Sequence, residues 1–171
     1  MLPIKKTYLN IDKLRKEFTS NKPFPHLVLK DFVDNKLITE ISSELKKQNF
    51  IYKNSDLFSL SQTDHSLQKS KTIKEFYTLL NSEEFKSYIS EITGIEVPSD
   101  IDFYGFLYQD TDYLLPHDDA SETRKIAYII NLSENFTQKS GGSLEFIHNN
   151  KISKSITPSF NTLTIFKVIP D

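Results

Sequence analysis

The sequence predicts an α+β fold in which a helical layer supports a β-sandwich or jelly roll. Three observations point there. Up to about Pro98, apolar residues recur at helical spacing. From Asp100 onward the period drops to two, in short runs dominated by β-branched and aromatic residues. Those runs follow one another closely with turn residues between them, which argues against alternating βαβ units. At 171 residues, 37% apolar and 26% charged, the chain reads as one globular domain over residues 1–171. Within it, residues 1–98 are mainly helical support and residues 99–171 carry the strands.

The elements follow in order. Asn10 is expected to N-cap a short helix with Ile11, Leu14 and Phe18 on one face. Pro23-Phe24-Pro25 breaks that helix, and His26-Leu27-Val28-Leu29 reads as a short strand. Asp34 can cap a second helix whose apolar face is Leu37, Ile38, Ile41 and Leu45. The polar stretch from Tyr52 to Lys71, rich in Ser, Gln and Asp, reads as a long loop. A third helix carries Ile73, Phe76, Tyr77 and Leu80. A fourth starts near Ser82, places Glu83 and Glu84 at its positive end and buries Phe85, Tyr88, Ile89 and Ile92. Gly94 stops it. Six strands are then expected: Phe103 to Tyr108, Tyr113 to His117, Lys125 to Leu132, Ser143 to His148, Lys151 to Ile156 and Thr162 to Val168.

Composition narrows the chemistry. The formal net charge is -2, so no basic field suggests unspecific nucleic-acid binding. The absence of cysteine removes disulfides, thiolate catalysis and Cys-type zinc sites. Any metal must be held by imidazole and carboxylate, ligands that suit Fe(II), Mn(II) or catalytic Zn(II). Only His26, His65, His117 and His148 supply imidazole. Met1 to Asn10 lacks the apolar run of a signal peptide, and no apolar stretch approaches the ~20 residues that span a bilayer. The expectation is a soluble protein of the cytoplasm, or of the nucleus if the source is eukaryotic, with no membrane partner.

The run Leu114-Leu115-Pro116-His117-Asp118-Asp119 holds an H-x-D pair. His117 and Asp119 are two residues apart, so on an extended strand end both side chains face one side, with Asp118 facing away. Both can then reach one ion at about 2.0–2.2 Å. This is two-thirds of the 2-His-1-carboxylate triad of non-haem Fe(II) oxygenases. Alone the motif is weak, because a surface His beside two solvated carboxylates reads the same way.

The surrounding motifs add specificity. They are Tyr108 to Asp119 (YQDTDYLLPHDD), Thr123 to Leu132 (TRKIAYIINL), Gly141 to Ile147 (GGSLEFI) and Ser155 to Val168 (SITPSFNTLTIFKV). The N-terminal half adds Pro23 to Phe32 (PFPHLVLKDF) and Asn54 to Leu60 (NSDLFSL). In this order they resemble the Fe(II)- and 2-oxoglutarate-dependent oxygenases of the prolyl hydroxylase type. The resemblance is strongest to the eukaryotic enzymes that modify a ribosomal protein, and it covers almost the whole chain.

The resemblance implies a double-stranded β-helix core and a dioxygenase that hydroxylates a prolyl residue of a protein or peptide. It implies Fe(II), 2-oxoglutarate and O2 as cofactors, with ascorbate as an optional reductant. His117 and Asp119 match the first two iron ligands. Tyr108, nine residues before His117, matches a tyrosine that binds 2-oxoglutarate; a packed strand aromatic is the plain alternative. A second pocket aromatic falls at Asn131, where this chain departs from the pattern. Asn131 shares a strand face with Ala127 and Ile129, while Tyr128 faces the core. Gly141-Gly142 is read as architectural, a tight entry to a strand. Arg124 is expected in a surface ion pair with Asp118 or Glu122.

The pattern also implies parts that this sequence lacks. The distal His of such enzymes follows the strand matching Leu163 to Val168. An arginine that forks onto the far carboxylate of 2-oxoglutarate comes after it. The chain reaches Pro170-Asp171 first, and its two arginines, Arg15 and Arg124, stand elsewhere. His148 precedes an Asn149-Asn150 turn signal and is not expected to be the third ligand. His26 and His65 read as ordinary polar residues. Two of eight core strands are missing by the same comparison, so the chain is expected to be a fragment, with strands from a partner chain as the alternative. The competing function is a non-catalytic β-sandwich protein-binding module with a decayed or incomplete metal site. A cupin-type enzyme with another metal is a third reading. Oligomeric state is left open.

Overall fold

The computed structural model describes residues 2–64, 70–97, 101–119 and 124–169. Four α-helices, two single-turn 3-10 helices (Lys6–Tyr8 and Gln138–Ser140) and nine strands make up the regular structure of these residues. The helices are α1 (Ile11–Ser20), α2 (Asn35–Leu45), α3 (Lys71–Leu80) and α4 (Glu83–Thr93). The strands begin with β1 (His26–Lys30), β2 (Phe50–Asn54) and β3 (Phe58–Thr63). After the helices come β4 (Phe106–Leu107), β5 (Tyr113–Leu114), β6 (Ile126–Asn131), β7 (Leu144–His148), β8 (Lys151–Ile156) and β9 (Thr162–Lys167). The result is a mixed helix and strand fold in which every strand pairing is antiparallel.

The helix ends follow from local chemistry. The Asn10 side chain accepts from the Lys13 amide, and Asp34 accepts from Lys36 and Leu37. Ser82 accepts from Phe85, and Gly94 closes α4 in the left-handed region at φ 69°. Each satisfies a backbone group that a helix end leaves unpaired.

The central sheet runs β1-β9-β6 and presents one face to the helices. Register aligns Leu27 with Ile165 and Tyr128, and Leu29 with Leu163 and Ile130. Leu27, Leu29, Leu163 and Ile165 are buried there with Leu14 and Phe18 of α1, Ile38 and Ile41 of α2, and Phe85, Ile89 and Ile92 of α4. Burial of each such side chain contributes about 1.5–3 kcal/mol, so this face dominates the hydrophobic term.

The opposite face carries His26, Thr164 and Phe166, and the β7–β8 hairpin covers it at one end. The Phe146 ring lies 5.0 Å from His26 and 5.6 Å from Phe166. Asn149 and Asn150 turn this hairpin with φ of 52° and 58°, the left-handed pair that a two-residue loop requires. Gly141 and Gly142, also at positive φ, lead into β7.

His26 is fully buried at 1% exposure, more than an ordinary polar residue would be. Its Nδ1 donates to the Phe24 carbonyl at 2.7 Å. Burial lowers its pKa, with Lys154 adding to the effect against the Phe24 hydrogen bond. Below the ordinary value of about 6.5, the unfolded chain therefore takes up a proton that the folded chain refuses. Stability is full above that pH and falls as the pH drops through the folded pKa. In urea titrations, His26→Leu is expected to flatten this part of the stability–pH curve relative to the parent.

The stretch from Tyr52 to Lys71 is not a loop in its first half. Phe50–Asn54 and Phe58–Thr63 form the β2–β3 hairpin, with Tyr52 opposite Ser61 and Asn54 opposite Ser59. Ser55 makes the turn, its hydroxyl accepting from the Leu57 and Phe58 amides. Period two was hidden because small hydroxyl residues take one face: Ser59, Ser61 and Thr63 are all buried. Residues 65–69, including His65, lie outside the described residues.

Two expected strands are shorter than their sequence patterns. Phe103 to Tyr108 pairs only over Phe106–Leu107, and Tyr113 to His117 only over Tyr113–Leu114. The reason is that both pair along the same strand, β3: β4 against Ser61 and Gln62, β5 against Phe58 and Ser59. A turn at Gln109–Asp112, with Thr111 at φ 73°, joins them.

Gly105 fits tightly beside β3. Its amide donates to Thr63 Oγ1 and its carbonyl accepts from the Thr63 amide, both at 2.9 Å. A Cβ there would stand 2.7 Å from Leu45 Cδ1 and 3.1 Å from Thr63 Cγ2. Gly105→Val is expected to lower the unfolding free energy by about 1–3 kcal/mol, read as a lower denaturant midpoint. Adding Leu45→Ala should recover part of the loss, because Leu45 is the nearer obstacle.

Candidate metal centre

β5 delivers the H-x-D segment. One more backbone hydrogen bond lies just past the paired residues, from the Leu115 amide to Leu57 O at 2.9 Å. Pro116 then turns the chain, and residues 117–119 have no regular secondary structure. The two side chains converge without the extended strand that the sequence suggested.

His117 Nδ1 lies 2.8 Å from Leu115 O. A carbonyl can only accept, so Nδ1 carries the hydrogen and the neutral ring keeps its lone pair on Nε2. That Nε2 lies 3.5 Å from Asp119 Oδ1. A nitrogen and an oxygen bound to one ion at about 2.0–2.2 Å with an angle of 90–109° stand about 2.8–3.6 Å apart. The donor set therefore fits two positions of a metal site with little adjustment. Both side chains are about one-third exposed, at 30% and 31%, so the pair is open to an entering ion.

Among the described residues, no group of three or more His, Asp or Glu side chains is placed to hold a metal. His148 ends β7, with its ring 6.1 Å from Phe24. His26 is in the core beneath Phe146.

Tyr108 directly follows β4 and is 45% exposed. Partial burial, and then the nearby Asp112 carboxylate, raise its pKa, so the phenol stays protonated and remains a donor at neutral pH. Asp112 is held by the Gln109 amide at 2.8 Å and by the Ser59 hydroxyl at 2.9 Å. Asn131 ends β6, in the other sheet, opposite Thr162. Its side chain accepts from the Ser133 amide at 2.9 Å, a turn-making role that an aromatic could not fill. Tyr128 packs against the core, with its ring 5.9 Å from Phe85.

Arg124 makes ion pairs with Asp102 at 3.2 Å and Asp119 at 3.6 Å. Glu122 lies outside the described residues. The Asp102 partner was not anticipated. The two residues are 22 positions apart, and nothing local in the sequence links them.

Residues 104–171, which carry Tyr108, His117, Asp119 and Arg124, match the family model of the 2OG-Fe(II) oxygenase superfamily. That match implies Fe(II), 2-oxoglutarate and O2 as cofactors. Over 86% of its length the chain is similar to prolyl 3-hydroxylase OGFOD1 of Xenopus laevis, at 35% identity and covering 30% of that protein. It is also 32% identical to prolyl 3-hydroxylase OGFOD1 of Mus musculus, covering 86% of the chain and 28% of the relative. Against prolyl 3,4-dihydroxylase OGFOD1 of Ostreococcus tauri the identity is 29%, with 86% and 33% covered. The chain thus spans about a third of the length of these curated relatives. Among the described residues, no helix is long and apolar enough to cross a membrane.

Proposed function

We propose that this chain carries the iron-binding H-x-D segment and part of the co-substrate pocket of a 2-oxoglutarate-dependent prolyl hydroxylase acting on a proline-containing protein or peptide. The single observation that carries the reading is the His117–Asp119 pair, 3.5 Å apart with the imidazole tautomer already set. It lies within the stretch matched by the oxygenase family. Similarity to proteins named as prolyl 3-hydroxylases supports the substrate class.

In this reading the 171 residues form one domain, with residues 1–98 as support and residues 99–171 as part of a double-stranded β-helix. The β1-β9-β6 sheet, faced at one end by the β7–β8 hairpin, supports that architecture. His117 Nε2 and one Asp119 oxygen would hold Fe(II). Leu115 O keeps the imidazole in the ligating tautomer, as carbonyl partners do in other metal sites. The protonated Tyr108 hydroxyl would donate to a 2-oxoglutarate carboxylate, and Asp112 fixes the turn that follows Tyr108. Asn131 would stand at the pocket wall. When bound, Fe(II) supplies the redox chemistry that couples 2-oxoglutarate, O2 and a proline C–H to succinate, CO2 and a hydroxyproline.

Incubation of a longer chain that includes these 171 residues with Fe(II), 2-oxoglutarate, O2 and a proline-containing peptide tests the assignment. The expected result is one succinate released for each oxygen atom gained by the peptide, with the gain mapped to proline. Succinate release that is unchanged by Asp119→Ala would overturn the metal assignment.

The second reading, a protein-binding module without catalysis, is favoured by one observation. Only two donors converge among the described residues. Anaerobic Fe(II) titration separates the two readings, since the module has no reason to bind iron through His117.

A further inference from the structure

We propose that Asp102 and Arg124 form a positioning pair that sets the Asp119 carboxylate for metal binding. The proposal rests on the reading of His117 and Asp119 as ligands. Its geometry is a chain of contacts. Asp102 Oδ2 accepts from Arg124 Nη2 at 3.2 Å, and Arg124 Nη1 stands 3.6 Å from Asp119 Oδ1. The same Asp119 oxygen faces His117 Nε2 at 3.5 Å, and His117 Nδ1 donates to Leu115 O at 2.8 Å.

Asp102 and Arg124 stand on firm ground, whereas Asp119 does not. Arg124 enters β6, and its neighbour Lys125 accepts from the Val168 amide at 3.0 Å just beyond β9. Asp102 precedes Phe103, whose ring meets Phe76 at 6.4 Å and Tyr77 at 5.5 Å on α3. Asp119, by contrast, lies in a segment with no backbone ladder to orient it. A guanidinium fixed from two anchored elements restricts the carboxylate to the rotamer that faces His117.

Charge decides the sign of the effect. A lone arginine beside a ligating carboxylate would repel a divalent ion. Here Asp102 offsets that charge at 3.2 Å, closer than the 3.6 Å to Asp119, so the entering ion does not meet a bare cation. Arginine suits the task because its planar fork spans two carboxylates with separate nitrogens, which a lysine ammonium cannot do. The pair is too exposed to matter much for folding. The side chains of Arg124 and Asp102 are 42% and 73% exposed, and such surface pairs stabilise proteins little.

Mn(II) titration of the metal-free chain, followed by electron paramagnetic resonance, tests the pair without turnover. Arg124→Gln is expected to weaken Mn(II) binding about 10–100-fold, the usual range for partners of metal ligands, with the melting temperature unchanged. Arg124→Lys should recover part of the loss. Asp102→Asn, which removes one carboxylate partner of the arginine, should also weaken binding. The double variant should be no worse than Arg124→Gln, since both act through one contact. Mn(II) affinity in Arg124→Gln equal to or above that of the parent overturns the pair's role. Equal affinity in the parent and in His117→Ala overturns the underlying metal reading instead.

Discussion

Asn161→Ala is expected to lower the unfolding free energy by about 3 kcal/mol or more, the range for breaking a buried hydrogen-bond network. Asn161 is 1% exposed and sits at φ 55° at the start of β9. Its Nδ2 donates to Val33 O and to Asn35 Oδ1, both at 2.8 Å, and its Oδ1 accepts from the Val33 amide at 3.1 Å. Its carbonyl also accepts from the Phe32 amide at 2.9 Å. Removing the amide side chain leaves the Val33 N–H and C=O without these partners in the interior. It also puts alanine in a backbone region that favours Asn and Gly. Asn161→Gly relieves the backbone part only, so it should be destabilised less than Asn161→Ala. Asn161→Asp keeps the acceptor but loses the donor and buries a charge against Val33 O, so it should be at least as damaging as alanine. Chemical denaturation of the three variants checks the order. Equal stability of Asn161→Ala and the parent would show that the network contributes nothing net.

His117→Ala is expected to reduce Mn(II) or Fe(II) affinity by more than about 100-fold, beyond the range for outer partners of a metal site. Asp119→Ala should match it. With two donors converging among the described residues, loss of either leaves a single ligand, which holds a divalent ion no better than surface carboxylates do. His148→Ala and His26→Leu are the controls, since these rings sit with Phe24 and Phe146 rather than beside Asp119. Isothermal titration under argon reads all four. A comparable loss in His148→Ala would move the site to the β7–β8 hairpin.

The features legible in the sequence were the ones written locally. Asn10, Asp34, Ser82 and Gly94 act within a few residues of themselves, and all four stand where capping chemistry puts them. The six C-terminal strands were visible through β-branched and aromatic runs, and the Asn149-Asn150 turn through its composition. The β2–β3 hairpin escaped because serine and threonine occupy its alternate positions, so polarity masked the period. H-x-D spacing suggested a shared face on a strand. The structure achieves convergence differently, through the Pro116 turn and the Leu115 carbonyl. Asn161 and Asp102 were silent because their partners lie far along the chain, at separations of 128 and 22 residues. An Asn before a strand in Phe160-Asn161-Thr162 was the only local sign of the first.

The placement of β9 has a consequence for the order of assembly. It is the middle strand of β1-β9-β6, yet it is the last regular element of the described chain. β1 and β6 do not touch each other across the sheet; each has β9 as its ladder partner there. During synthesis the helices and β1 emerge first, with Leu27 and Leu29 lacking the strand that completes their layer. Pairing β9 with β6 closes a short loop, whereas pairing it with β1 must bring together segments more than 128 residues apart, the costlier step in chain entropy. Assembly is therefore timed by the arrival of a single late segment, Thr162–Lys167. Until it docks, β1 has no ladder partner among the described strands.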